Sequence, residues 1–249
     1  MPLRIEHFGL SNVGLVRQNN EDAWEALPQH NLYALADGLG GKNSGEIAAR
    51  AAIEEISSCI QKNPLFNDTA KDDQEIIKAL HAAIVATNLK IWEMAKSAPH
   101  LNGMGTTLTL ALFWDNKIIL GNVGDSRIYR VRSGKLEQLT HDDSLVFELL
   151  QFGLIDEEEA KVFPLKHVIT KSIGGIATLD PSVSSLPIEN NDIYLLCSDG
   201  LHGLVENLEI LSILQKNDSL ENISHNLIKA ALSKGGHDNV TVIIIKTLL

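Results

Sequence analysis

The order in which apolar periodicities follow one another restricts this chain's fold more than any single motif does. Strand-like stretches come first, at residues 5–10, 22–27 and 31–36, separated by turn residues. Two helical stretches follow. In the first, Ile47, Ala48, Ala51, Ala52, Ile56, Cys59 and Ile60 form an apolar stripe, with Asn43 placed to cap the first turn and Glu46 three residues later. In the second, Ile76, Ile77, Leu80, Ala83, Ile84, Thr87, Ile91 and Met94 keep one face toward a core. A β-rich block comes next, "TTLTLALFW", "KIILGNV", "SRIYRVRSG" and "LEQLT", joined by tight turns at Asp115-Asn116 and Ser133-Gly134. Residues 144 to about 175 are less regular and contain one helical piece, "SLVFELLQFG". A strand returns at 193–197, helices follow at about 206–215 and 219–233, and the chain ends in the strand-like "NVTVIIIKTLL".

A doubly wound parallel sheet would alternate strand and helix regularly, and this chain does not. Strands, a helix pair, strands, a second helix pair and a last strand predict two mainly antiparallel sheets flanked by helix pairs, a four-layer α/β/β/α sandwich of the mixed α/β class. No internal repeat or low-complexity linker interrupts the pattern, so one domain over 1–249 is expected, with the irregular stretch as an insertion packed on it. With 249 residues, 44% of them hydrophobic, the chain can bury a substantial core. Its net charge of −11 argues against nucleic acid or an anionic membrane as partner, since both need a basic face. Cys59 and Cys197 are too few and too separated for a disulfide framework, which fits a reducing compartment. The opening "MPLRIEHFGLSN" lacks a signal-peptide core, and no apolar run approaches the ~20 residues of a membrane span. A cytoplasmic location is expected.

The stretch "ALADGLGG", residues 34–41, joins an apolar strand to a glycine-rich turn ahead of a helix. It fails as a nucleotide loop. A Walker A loop needs Gly-Lys followed by Ser or Thr and a glycine five positions before, but Gly41-Lys42 is followed by Asn43 and preceded by Ala36. The dinucleotide pattern fails as well, because Asn43 stands where the third glycine belongs. What recurs instead is a carboxylate at the end of an apolar strand. "YALADGL" places Asp37 there, "LLCSDGL" places Asp199, "GNVGDSR" places Asp125 in a turn, "GGHDNVTV" places Asp238 before the last strand, and "RQNNED" places Glu21 and Asp22 before an early one. Taken singly, each is an ordinary turn or cap residue. Gathered at one sheet edge, they would repel one another severely without cations. Hard divalent ions with oxygen-only shells, Mg²⁺ or Mn²⁺, would relieve that repulsion. No zinc spacing and no Gly-x-Ser-x-Gly elbow competes; Ser126 and Ser198 beside their aspartates read as hydrogen-bonding turn residues.

In order, "VRQNNED", "ALADGLGG", "GMGTTLT", "GNVGDSRIY", "GLIDEEEA", "VITKSIG", "LLCSDGL" and "GGHDNVTVII" resemble the motifs of metal-dependent serine/threonine protein phosphatases, the PPM or protein phosphatase 2C type in its compact bacterial form. The resemblance runs from about Gly14 to Ile245. It implies an α/β/β/α sandwich with two Mn²⁺ or Mg²⁺ ions at one edge of the sheets. Asp37 would bridge both metals, Asp199 and Asp238 would complete one, and Glu21 with the Gly38 carbonyl would serve the other. Asp125, with Asp199 again, would hold a weaker third metal. Arg17 would grip the phosphoryl group, and Asp22 and Asn239 would support the ligands. The implied reaction is hydrolysis of phosphoserine and phosphothreonine in proteins by in-line attack of a metal-bridging hydroxide, reversing a partner Ser/Thr kinase, with a monomer expected.

The chain also departs from the family. Leu39 stands where many eukaryotic members carry a histidine proposed as general acid, so metal-bound water is the first candidate for the leaving group's proton and His141 a poor second, read here as a loop histidine. The bacterial "TxDHS" segment reads Thr140-His141-Asp142-Asp143-Ser144, with Asp143 where histidine is usual, and "HPxRN" reads Phe163-Pro164-Leu165-Lys166-His167. Both changes lie around the insertion the family calls the flap, about 144–166, expected to choose among substrates. A non-catalytic phosphoprotein-binding relative is disfavoured because the predicted carboxylates and Arg17 are all present. A small-molecule phosphatase stays open at this level.

Overall fold

A strand that is apolar on both faces has to be covered on both sides. In the computed structural model, which describes residues 3–40, 44–67, 72–165 and 167–248, that requirement stacks the layers. The elements are, in chain order, β1 (Arg4–Asn12), β2 (Asp22–Leu27), β3 (Leu32–Leu39), α1 (Ser44–Lys62), α2 (Asp73–Ser97), β4 (Gly105–Thr106), β5 (Leu108–Trp114), β6 (Lys117–Val123), β7 (Arg127–Arg132), β8 (Lys135–Gln138), α3 (Leu145–Gln151), α4 (Glu157–Val162), β9 (Ser182–Pro187), β10 (Ile193–Cys197), α5 (Asp199–His202), α6 (Asn207–Leu214), α7 (Leu220–Ser233) and β11 (Val240–Leu248). One sheet runs β1-β11-β10-β7-β8 and the other β2-β3-β5-β6-β9, with β4 added beside β3. The strand pairs within both sheets are antiparallel.

Alternation along each strand divides the interior. From β3, Leu32, Ala34 and Ala36 join a core under α1 and α2, whereas Tyr33 and Leu35 point to the other sheet. From β11, Val240, Val242 and Ile244 join the core under α6 and α7, whereas Ile243 and Ile245 meet Tyr33 and Leu35's layer between the sheets. Three apolar layers between four structural ones give the expected α/β/β/α sandwich. Among the described residues no helix is long and apolar enough to cross a membrane.

Several local expectations shift. The third strand does not stop at residue 36 but continues through Asp37, Gly38 and Leu39, because β2 and β4 supply pairing partners on either side. The buried face of α1 is turned from the predicted stripe: Ala49 and Ile53 are buried and Ile47 is exposed. The Asn43 cap lies outside the described residues. Strand β9, half-exposed and serine-rich, has no counterpart in the sequence reading. The insertion carries a second short helix, α4, started by an Asp156/Glu159 capping box. Its neck closes further out than residues 144 and 166: Ser144 bridges to Ile169, and Thr170 N–H donates to the Asp143 carbonyl at 2.8 Å.

Candidate metal and phosphoryl site

The acidic residues meet where the two sheets end together. Asp22 and Asp37 lie opposite each other on β2 and β3. The Asp37 backbone is fixed on both sides: its N–H donates to Thr107 Oγ1 at 2.9 Å, and its carbonyl accepts from Thr107 N–H at 2.9 Å and Thr106 Oγ1 at 2.8 Å. From the other sheet, β10 ends at Cys197 and α5 begins directly with Asp199. Asp238 and Asn239 immediately precede β11. Gly38 is required by crowding of main chains: a Cβ there would collide with the Gly45 carbonyl at the start of α1 and stand 2.6 Å from the Glu21 carbonyl.

The loop before β2 is clipped to the same edge by Asn239. Its Oδ1 accepts from Glu21 N–H at 2.8 Å, and its Nδ2 donates to the carbonyls of Val13 and Asn19 at 3.0 and 2.9 Å. This clip brings Arg17 to the rim, where its Nη2 donates to Asp238 Oδ2 at 2.7 Å. Asp22 is half-buried and its Oδ2 accepts from Ser198 Oγ at 2.9 Å and Thr241 Oγ1 at 2.6 Å. Ser198 and Ser126 are hydrogen-bonding residues, the latter paired with Thr107 Oγ1 at 2.9 Å. Asp125 is buried in the β6–β7 turn, and its carbonyl meets His202 Nε2 at 3.0 Å. His141, the poor second as proton donor, stacks its ring on Phe147 with centroids 5.1 Å apart.

Electrostatics set this edge apart. Burial, joined by repulsion from Asp22, Asp199, Asp125 and Asp238, holds the Asp37 carboxyl well above its ordinary range. Burial and Asp238 raise Asp199, although a hydrogen bond with Asp37 partly offsets them. Burial pushes Asp125 up to about 7, with Asp199 adding to it. Burial also takes Asp22 to about 7 against its two hydroxyl hydrogen bonds, and Glu21 is raised chiefly by burial.

These residues fit hard divalent cations. The donors are all oxygen, Asp125 is buried and the other carboxylates are half-buried around it, and among the described residues the buried atom Asp22 Oδ1 has no hydrogen-bond partner. Among the described residues no three His, Cys, Asp or Glu side chains already surround one point as a finished cage. Arg17 engages Asp238 instead, and ions of this class keep several waters and so need few protein ligands at once. Sequence reading missed Thr106, Thr107, Thr241 and His202, which hold the acidic residues rather than joining them. Threonine pairs in an apolar strand read as ordinary β-formers, and His202 carries no spacing signal.

A sandwich of antiparallel sheets between helix pairs, with partly buried carboxylates gathered at one sheet edge and an arginine at its rim, defines a class of metal-dependent phosphatase. Residues 14–234 match the family described as Protein phosphatase 2C, and the chain belongs to that family. It is 38% identical, over 97% of its length, to the serine/threonine protein phosphatase PstP of Mycobacterium tuberculosis, of which it covers 45%; the chain spans about half the length of that relative. It is 34% identical to the serine/threonine phosphatase stp of Listeria welshimeri, over 94% of this chain and 92% of that one. The crystal structure of the PstP catalytic domain in complex with two manganese ions superposes with a TM-score of 0.87 at 37% identity, covering the whole of both chains.

Proposed function

We propose that this chain hydrolyses phosphoserine and phosphothreonine in phosphorylated proteins. The observation that carries the reading is the convergence of Asp37, Asp199, Asp238, Glu21 and Asp125 from both sheets on one edge beside Arg17, in a chain of the protein phosphatase 2C family.

Asp37, Asp199 and Asp238 would hold one Mn²⁺ or Mg²⁺, and Glu21, Asp37 and the Gly38 carbonyl another. Asp125 with Asp199 would hold a third. When bound, such ions supply a hydroxide nucleophile at neutral pH and offset phosphoryl charge. Arg17, half-exposed at the rim, is free to exchange Asp238 for two phosphoryl oxygens, since its planar fork suits both. Asp22 is immobilised by Ser198 and Thr241 and keeps β2 in register with β3 beneath Asp37. Asn239 orients Glu21 and Arg17 together by holding their loop. Leu39 offers no proton to the departing alkoxide, so water held at the metal site is the first candidate to supply it.

The finer reading includes a partner Ser/Thr kinase whose products are the substrates, selection among them by the flap, and a monomeric enzyme in the cytoplasm. Its support is the Ser/Thr phosphatase naming of the relatives and two cysteines that stay free. The deciding experiment is hydrolysis of a phosphothreonine peptide with Mn²⁺ and with EDTA. Turnover with Mn²⁺ and none with EDTA is expected; absence of metal-dependent turnover would overturn the reading.

A further inference from the structure

Asp143 carries a carboxylate in the connection from β8 to α3, at the neck of the flap. The structure gives that carboxylate a definite set of partners. Asp143 Oδ2 accepts from Gly124 N–H at 3.0 Å, and Oδ1 pairs with Lys171 Nζ at 3.1 Å. Its main chain is committed as well: its N–H donates to the Gly124 carbonyl at 2.9 Å, and its carbonyl accepts from Thr170 N–H at 2.8 Å. One residue therefore ties the turn before Asp125 to both sides of the flap's neck, since Asp143 leads into α3 and residues 170–171 lead out.

The turn it grips has little room to adapt. Gly124 sits at φ +102°, and a Cβ there would stand 2.6 Å from Thr107 Cγ2. Thr107 in turn bonds Ser126 Oγ and the Asp37 N–H. The Asp125 turn is thus held between Thr107 on one side and Asp143 on the other. The Asp143 side chain is 13% exposed and that of Lys171 40%, so this ion pair is shielded mainly at the carboxylate end.

We propose that Asp143 is a positioning residue that clasps the Asp125 turn to the neck of the flap, so that one carboxylate sets both the cation-binding turn and the seating of the insertion. The link from turn to cation rests on the reading of Asp125 as a ligand; the clasp itself does not. Three variants separate its parts. Asp143→Asn keeps an oxygen for Gly124 N–H and loses the charge facing Lys171. Lys171→Met removes the ion pair alone. Asp143→Ala removes both.

The test is amide hydrogen exchange of the metal-free protein, read by mass spectrometry at residues 122–127 and 168–173. Asp143→Ala should speed exchange in both segments by about tenfold or more, as loss of a hydrogen bond to a charged group would. Lys171→Met should speed only 168–173, and Asp143→Asn should stay within about threefold of wild type at 122–127. Unchanged exchange at 122–127 in Asp143→Ala would overturn the clasp. A parallel Mn²⁺ titration by calorimetry, with Asp125→Asn as reference, reads the consequence. Asp143→Ala should weaken the same Mn²⁺ site that Asp125→Asn removes, and Asp143→Asn should restore it. If Asp125→Asn binds Mn²⁺ as wild type does, the ligand reading of Asp125 falls, while exchange still decides the clasp.

Discussion

Asp37 has its main-chain N–H and carbonyl bound by Thr106 and Thr107, so replacing its carboxylate changes charge at a fixed point rather than shape. Asp37→Asn should therefore lower Mn²⁺-dependent turnover by more than about a hundredfold, with the far-ultraviolet circular dichroism of the metal-free protein unchanged. Asp238→Asn should do the same, and near-normal turnover in either variant would contradict the ligand assignment. Arg17 differs because it belongs to the rim, where its guanidinium hydrogen-bonds Asp238 and feels the charges of Glu21 and Asp199. Arg17→Ala should raise KM for a phosphothreonine peptide by roughly 10–100-fold, the value of a charge-assisted hydrogen bond, with a smaller change in kcat. Arg17→Lys should recover only part of that loss, because a point charge replaces a planar fork. A KM equal to wild type in Arg17→Ala would remove the residue from phosphoryl binding.

At the scale of elements, the crossing of β3 over the start of α1 and the anchoring of β7 deserve separate tests, as they hold the site by different means. Gly38→Ala should destabilise the protein by about 1–3 kcal/mol in urea unfolding, since its Cβ meets main-chain atoms that cannot swing aside. Arg127 at the start of β7 is bound by Asp142 in a two-point pair, Nε to Oδ1 at 2.9 Å and Nη2 to Oδ2 at 2.6 Å, with the side chains 24% and 11% exposed. Asp142→Ala should cost about 3 kcal/mol, because a largely buried guanidinium would lose its carboxylate and keep only the neutral Tyr129 hydroxyl at 3.0 Å among these contacts. The strands buried on both faces were legible as apolar runs, and α6 and α7 as helical periods. The tail of β3 was not, because "DGL" alone reads as a turn and becomes strand only through β2 and β4. Strand β9 escaped because its serines carry no apolar period, and it is recruited by β6 from far along the chain. Asn88 shows the same limit within a helix. Its buried amide binds Gly174 N–H and the Ile176 and Ala177 carbonyls, partners that no local pattern indicates.

Across the whole molecule, the gathered carboxylates couple folding to protons and cations. The candidate ligands could be named from their places at strand ends, but their protonation could not, since it depends on burial contributed by both sheets. Asp22 and Asp125 are each raised by burial from an ordinary value of 3.8 to about 7. A carboxyl whose folded pKa exceeds its unfolded one holds its proton more tightly when folded. The stability it contributes is complete below about pH 4 and is lost as the pH rises through about 7. The metal-free protein should thus melt at progressively lower temperature from pH 5 to pH 8, a loss on the order of a few kcal/mol. The net charge of −11 adds general repulsion over the same range, so the slope alone does not identify the site. Asp125→Asn isolates it, because an amide pays no charging cost in the same position. The variant should exceed wild type in metal-free stability at pH 8, and the gap should close toward pH 5. Mn²⁺ at pH 8 should raise the melting temperature of wild type more than that of the variant. Equal pH slopes for the two proteins in calorimetry, without metal, would show that Asp125 is not held protonated by the fold.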